Sequence, residues 1–144
     1  IYWKGKLLKN NLFNFYDNIT YISDKISCIK QLTVLENISI WKKFFLSKVD
    51  FNQIEKVLVT LNLDEYKHKR VSALSLGETK KLELLRLIIE QKKVWILDEP
   101  FSNLDISSIE ILSQTFEDHC KNEGSIIFSS HQNINININE EILL

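Results

Sequence analysis

Asp98 and Glu99 are adjacent carboxylates that directly follow the apolar run Val94-Trp95-Ile96-Leu97. Ligands of open α/β sheets bind beyond the carboxyl ends of the strands, so an acidic pair there stands where a reactive group belongs. Neighbours on one strand point to opposite sides, so the two would do different jobs. Asp98 would hold Mg²⁺, and Glu99 would accept a hydrogen bond from an attacking water. In-line phosphoryl transfer needs both services, charge neutralisation and a positioned nucleophile. The bland alternative is an acidic loop facing solvent.

A second group is Leu74-Ser75-Leu76-Gly77-Glu78. It offers a hydroxyl and a glycine at a helix start, where unpaired N–H groups and the helix dipole favour an anion. Gly77 would let a phosphate come close to the backbone. Ser75-x-x-Glu78 is equally a plain capping box. The third group is His131, just beyond the apolar stretch Ser125-Ile126-Ile127-Phe128-Ser129. It could donate to a terminal phosphate; taken alone it reads as a surface histidine. Each signal is weak singly. In this order, on one helix start and two strand ends, they describe most of an ATP-hydrolysing site.

The elements that must carry these residues are legible. Short strands are expected at residues 1–3 and 19–22, with Lys4-Gly5-Lys6 as a turn. Thr33-x-x-Glu36 is a capping box before the apolar face Leu35, Ile38, Trp41 and Phe45. Asp50-x-x-Gln53 repeats that logic before a helix over 51–61, with Ile54, Leu58 and Leu61 on one face. Ser75 opens a single helix to about Gln91. The Val94 run reads as a strand buried on both faces of a parallel sheet, stopped by Pro100. Asp105 caps a helix over 106–121, Gly124 turns the chain, and a strand follows. Strand, helix, strand implies a βαβ crossover in an α/β sheet. The alternating Asn and Ile of 133–139 reads as an edge strand or a frayed end.

Composition removes several classes. The chain has 144 residues, 44% of them hydrophobic, enough for one real core. A net charge of -1 without long charge runs gives no nucleic-acid tract and no polybasic anchor. No apolar stretch is long enough to span a bilayer. Cys28 and Cys120 lack any ligand spacing and read as free thiols, and His68 and His119 receive no role. Met is absent and Ile1 comes first, so the sequence reads as lacking its true N-terminus. Abundant Ile, Asn and Lys point to an AT-rich genome.

With these residues the chain resembles the ATP-binding cassette ATPases. Leu74-Ser75-Leu76-Gly77-Glu78 matches their signature, with Glu78 where glutamine is usual. Val94 to Glu99 matches Walker B with its catalytic glutamate. Ser102-Asn103-Leu104-Asp105 matches the D-loop, and His131 the switch histidine. Leu32-Thr33-Val34-Leu35-Glu36-Asn37 and the aromatic-rich helix after it further resemble the ATP-binding subunits of the cytochrome c maturation haem exporters.

The resemblance implies an α/β P-loop NTPase fold, a parallel-sheet core with an inserted helical subdomain, lacking its N-terminal phosphate-loop strand and helix. Residues 1–28 would be a core remnant, 29–74 the helical subdomain, and 75–144 the signature helix and C-terminal core. It implies ATP and Mg²⁺ as ligands and a second copy that sandwiches two ATP molecules head to tail. Ser75, Gly77 and Glu78 would then serve the partner's nucleotide, Asp98, Glu99 and His131 would act in cis, and Asp105 would link the two sites. Integral membrane permease subunits would be the other partners, with the protein peripheral on an inner membrane, on the matrix or cytoplasmic face, and mitochondrial.

Two departures stand against activity of this stretch alone. No G-x-x-x-x-G-K-S/T occurs, since Gly5-Lys6 is followed by Leu7. Lys25 stands nearest the place of the family's glutamine after the Ile19 strand, and Gln31 lies too far along. Lysine can bind phosphate but cannot reproduce a glutamine's contacts to Mg²⁺ and water.

Overall fold

Lys4 and Gly5 both take positive φ, 47° and 74°, as a tight two-residue hairpin turn requires. In the computed structural model, which describes residues 2–132, they join strand β1 (Tyr2–Trp3) to antiparallel strand β2 (Lys6–Leu7). Helix α1 (Leu12–Asn18) follows and was not expected. Its N-cap, Asn11, makes no side-chain capping bond, so no local signal announced it. Tertiary contacts hold it instead: the Trp3 indole N–H donates to Asn14 Oδ1 at 2.9 Å, and Trp3 meets Phe15 edge to face.

Strand β3 (Ile19–Ile22) leads through residues 23–33 to helix α2 (Val34–Phe44). The predicted capping box is formed: Thr33 Oγ1 accepts from the Glu36 N–H, and Glu36 Oε2 accepts from the Thr33 N–H at 2.8 Å. The box predicted at Asp50 is not. Helix α3 (Phe51–Thr60) starts there, but the Asp50 carboxylate accepts from the Asn52 amide rather than from a helix N–H. The single helix expected from Ser75 divides into α4 (Leu76–Leu84) and α5 (Arg86–Glu90). At the join, the Leu85 N–H is shared between the carbonyls of Lys81 and Leu82, a local tightening of the turn. Gln91, at φ 50°, ends the run.

Strand β4 (Val94–Leu97) is central in a parallel sheet ordered β3-β4-β5, with helix α6 (Ile106–Lys121) crossing to strand β5 (Ser125–Phe128). The predicted tail at 133–139 lies outside the described residues. Side chains alternate across the sheet. Ile22, Trp95 and Leu97 pack with Leu84, Leu87, Phe101, Leu112 and Phe116 in one core. The opposite row, Tyr21, Ile96 and Ile127, is aligned by strand register, and Tyr21 and Ile127 are exposed. A second core joins Val34, Ile38 and Trp41 of α2 and Ile54 and Leu58 of α3 to Leu82 and Leu85.

Helix α4 lies between the two cores. Thr79, Lys80, Lys81 and Glu83 are therefore buried along with Leu82 and Leu84. Buried charges must be paired or hydrogen-bonded, and each of these points at a candidate functional element. No helix among the described residues is long and apolar enough to cross a membrane.

Candidate active site

Strand β4 stops at Leu97, so Asp98 and Glu99 stand in the turn beyond it and not on the strand itself. The Asp98 N–H still donates to the Ile22 carbonyl at 2.9 Å, which fixes the start of the turn to β3. Glu99 then enters the left-handed region at φ 46°, a strained setting for a residue with a Cβ. Ser102 closes the turn, its N–H and hydroxyl both donating to the Glu99 carbonyl. Phe101 is fully buried beneath it. The carboxylates are no longer kept apart by strand alternation.

Ser129 joins them. Its hydroxyl donates to Asp98 Oδ1 at 2.7 Å and accepts from the Glu99 N–H at 3.1 Å. Its own N–H donates to the Leu97 carbonyl, which places it at the end of β5 beside β4. His131 Nε2 stands 3.6 Å from Glu99 Oε1. The Glu99 side chain is only 17% exposed, whereas that of His131 is 97% exposed. The acceptor is thus sheltered and the histidine faces solvent, where an incoming phosphate would meet it. Lys80 reaches the same turn from α4, its Nζ 3.5 Å from the Asp98 carbonyl oxygen. Burial pushes its pKa down.

Ser75, Gly77 and Glu78 form a separate group. Ser75 Oγ accepts from the Glu78 N–H, and Glu78 Oε2 accepts from the Ser75 N–H at 2.7 Å. That backbone bond is the main reason the Glu78 carboxyl sits below its ordinary range. A Cβ on Gly77 would lie 2.6 Å from the Asn103 carbonyl oxygen. The absent side chain therefore admits the turn after Glu99 against the start of α4. Among the described residues, no hydrogen bond or ion pair joins Ser75 or Glu78 to Asp98, Glu99 or His131. Asp105 lies at the edge of both groups. Its carboxylate caps α6 through the Ser108 N–H at 2.8 Å and pairs with buried Lys81 at 3.0 Å. Bonds from Ser108, then Lys81 and Ser107, hold its pKa far below the carboxylate range.

Sequence reasoning missed Ser129, Lys80, Lys81 and Glu83. Ser129 lies two residues before His131 in the chain, but its reach to Asp98 depends on strand register. No motif singles out Thr79-Lys80-Lys81-Leu82-Glu83 in the sequence, and only the two-sided packing of α4 buries its polar residues.

The oxygen donors suit Mg²⁺. No cluster of three or more His, Cys, Asp or Glu among the described residues is arranged to cage a metal. Magnesium commonly rests on one or two carboxylates plus phosphate and water, and Asp98, already oriented by Ser129, is a carboxylate of that kind.

The family model for ABC transporters matches residues 1–102. The cytochrome c biogenesis ATP-binding export protein CcmA of Reclinomonas americana is 33% identical over 147 aligned positions, covering 98% of this chain and 66% of that protein. The protein of the same name from Escherichia coli is 28% identical over 136 positions, covering 94% of this chain and 64% of its own length. The chain thus spans about two thirds of the length of these relatives. A putative ABC transporter ATP-binding protein from Pyrococcus furiosus shares the fold, with a TM-score of 0.75 at 19% identity over 96% of this chain and 67% of that one. An ATP binding subunit of an ABC transporter gives 0.72 at 17% identity, covering 88% of this chain and 54% of that one.

Proposed function

The chain belongs to the ABC transporter family, as its ATP-binding subunit, and from that premise we propose that the complete protein hydrolyses ATP to drive a membrane complex for haem export in cytochrome c maturation. The observation that carries the hydrolytic part is the chain of contacts from Asp98 through Ser129 to Glu99 and on to His131. Mg²⁺ on Asp98 would neutralise phosphate charge. Ser129 orients Asp98 and anchors the backbone of Glu99. Glu99 accepts a hydrogen bond from the attacking water, and His131 donates to the terminal phosphate. The names of the relatives support the cytochrome c branch.

The rest of the proposal concerns assembly. A second copy brings Ser75 and Gly77 to the γ-phosphate held by the first, with Asp105 near the seam. Residues 29–74 act as the helical subdomain that, with Lys25, meets integral permease subunits. The protein works on the matrix or cytoplasmic face of an inner membrane, in a mitochondrion. A phosphate-loop segment covers the row Tyr21, Ile96 and Ile127, because parallel sheets carry elements on both faces.

Glu99→Gln in the complete protein tests the hydrolytic role. ATP binding should persist while turnover stalls; unchanged turnover would remove Glu99 from the mechanism. One observation favours a second reading, a non-catalytic module: Lys25 stands nearest the place of the family's glutamine. The mass and N-terminal sequence of the native protein, with its ATPase rate, separate the two.

A further inference from the structure

We propose that Glu83 is a positioning residue for the hydrolytic site: its buried carboxylate fastens the loop that carries Lys25 to helix α4, so that this loop and the Ser75 end of α4 move as one piece. The inference rests on the ATPase reading above and adds a residue to it.

The loop, residues 23–28, leaves β3 beside the candidate site, where the Ile22 carbonyl accepts from the Asp98 N–H. It contributes little to its own shape; Ser23 Oγ donates to the Lys25 carbonyl at 3.0 Å. Its far end is fixed by one side chain. The N–H groups of Ser27 and Cys28 both donate to Glu83 Oε1, the latter at 2.6 Å, and the Ser27 hydroxyl donates to Oε2 at 2.9 Å. Arg86 completes the tie. It stands 3.6 Å from Glu83 Oε2 and donates to Ser27 Oγ at 3.0 Å. The second carboxylate of the network is Glu90, 2.7 Å from Arg86.

Glu83 is 2% exposed and lies 55 residues from Cys28 in sequence. A buried carboxylate is costly unless satisfied, and an apolar side chain would fill a core-facing helix position with no such demand. What a carboxylate adds is a charge-assisted grip on two adjacent backbone N–H groups. Its place on α4 gives that grip a use. The helix starts at Ser75 and Gly77 against Asn103, passes Lys80 at the Asp98 carbonyl, and reaches Glu83 one turn later. A shift of α4 is thereby transmitted to the loop with Lys25 at the end of β3.

The test compares Glu83→Ala and Glu83→Gln in the complete protein, by amide hydrogen exchange at Ser27 and Cys28 and by kcat and KM for ATP. In the alanine variant, exchange at both amides should rise by about tenfold, as the loss of a charged hydrogen bond permits. Its kcat should fall by about tenfold with KM within about twofold, because positioning and not binding is lost. Glutamine keeps an acceptor at the same reach and should restore most of both. Faster exchange with unchanged kcat would reduce Glu83 to a brace of the fold, and unchanged exchange would remove the tie. Should the alanine variant not fold, Ser27→Ala keeps α4 intact. A fall in kcat of about threefold is then expected, and an unchanged kcat overturns the role. A wild-type protein that hydrolyses no ATP overturns the ATPase reading and the role with it, while exchange in Glu83→Ala still reads the tie.

Discussion

At the start of α4, Ser75 and Glu78 bond to one another, and Gly77 closes against Asn103 with no space to spare. At the ends of β4 and β5, Glu99 is held at φ 46° and His131 stands in solvent. The first group satisfies itself by local rules. The second is assembled from two strand ends 30 residues apart and kept in a conformation that costs about 1–2 kcal/mol for a side chain with a Cβ. A helix start that recognises an anion can be stable unliganded. On the proposed reading Glu99 faces the reacting water, and its strained backbone would serve chemistry rather than stability.

The largest effect expected is at the strained end. Glu99→Gln should lower kcat of the complete protein by at least about a hundredfold, the lower range for a general base. Its melting temperature should hardly move, since no ion pair of consequence is lost. Glu99→Gly sharpens the contrast: it should be equally inactive, yet as stable as the wild type or up to about 1 kcal/mol more so, because glycine relaxes the positive φ. A glycine variant clearly less stable than the wild type would show that the turn carries no strain. Gly77→Ala is the converse. Its methyl meets a backbone carbonyl that cannot yield without moving the 99–103 turn, so a loss of about 2 kcal/mol is expected in urea unfolding. A neutral alanine would mean that the two groups do not press on one another. Ser75→Ala should remove only the cap, about 1 kcal/mol.

The same contrast decides what could be read from the sequence. The capping boxes at Thr33 and Ser75, the cap at Asp105 and the strand before Asp98 are local patterns, and each holds in the structure, although only the Trp95 and Leu97 face of that strand is buried. So is the parallel pairing of β4 with β5 across α6, which the succession of strand, helix and strand implies. Asp50 shows the limit of a local rule: Asn52, two residues on, competes for the same carboxylate. Helix α1 had no rule to read, since Trp3 and Asn14 hold it from outside. His119 looked idle in the sequence; it stacks on Trp95 at 3.6 Å and bonds the Lys93 carbonyl through Nε2. Ser129, Lys80 and Glu83 were illegible for one reason. Their partners lie 18 to 56 residues away and are fixed only when both faces of α4 and the strand register are known.

The smallest effect separates the two groups by pH. Glu78 is held below the ordinary glutamate value of 4.5, first by the Ser75 N–H and then by Tyr66 and the Ser75 side chain, with Lys69 adding charge. The folded state therefore binds fewer protons than the unfolded chain as pH falls past that value. The stability Glu78 contributes is fully present above 4.5 and is lost as pH drops through the folded pKa. Glu78→Gln removes the titration while keeping a capping acceptor at N3. Between about pH 6 and about pH 3, the midpoint of urea unfolding should fall further for the wild type than for this variant, by a modest margin because the carboxylate faces solvent. Parallel curves would mean that the box at Ser75 holds no ionised carboxylate. The helix start would then owe its order to Gly77 and Asn103, and the two groups would be one packed unit.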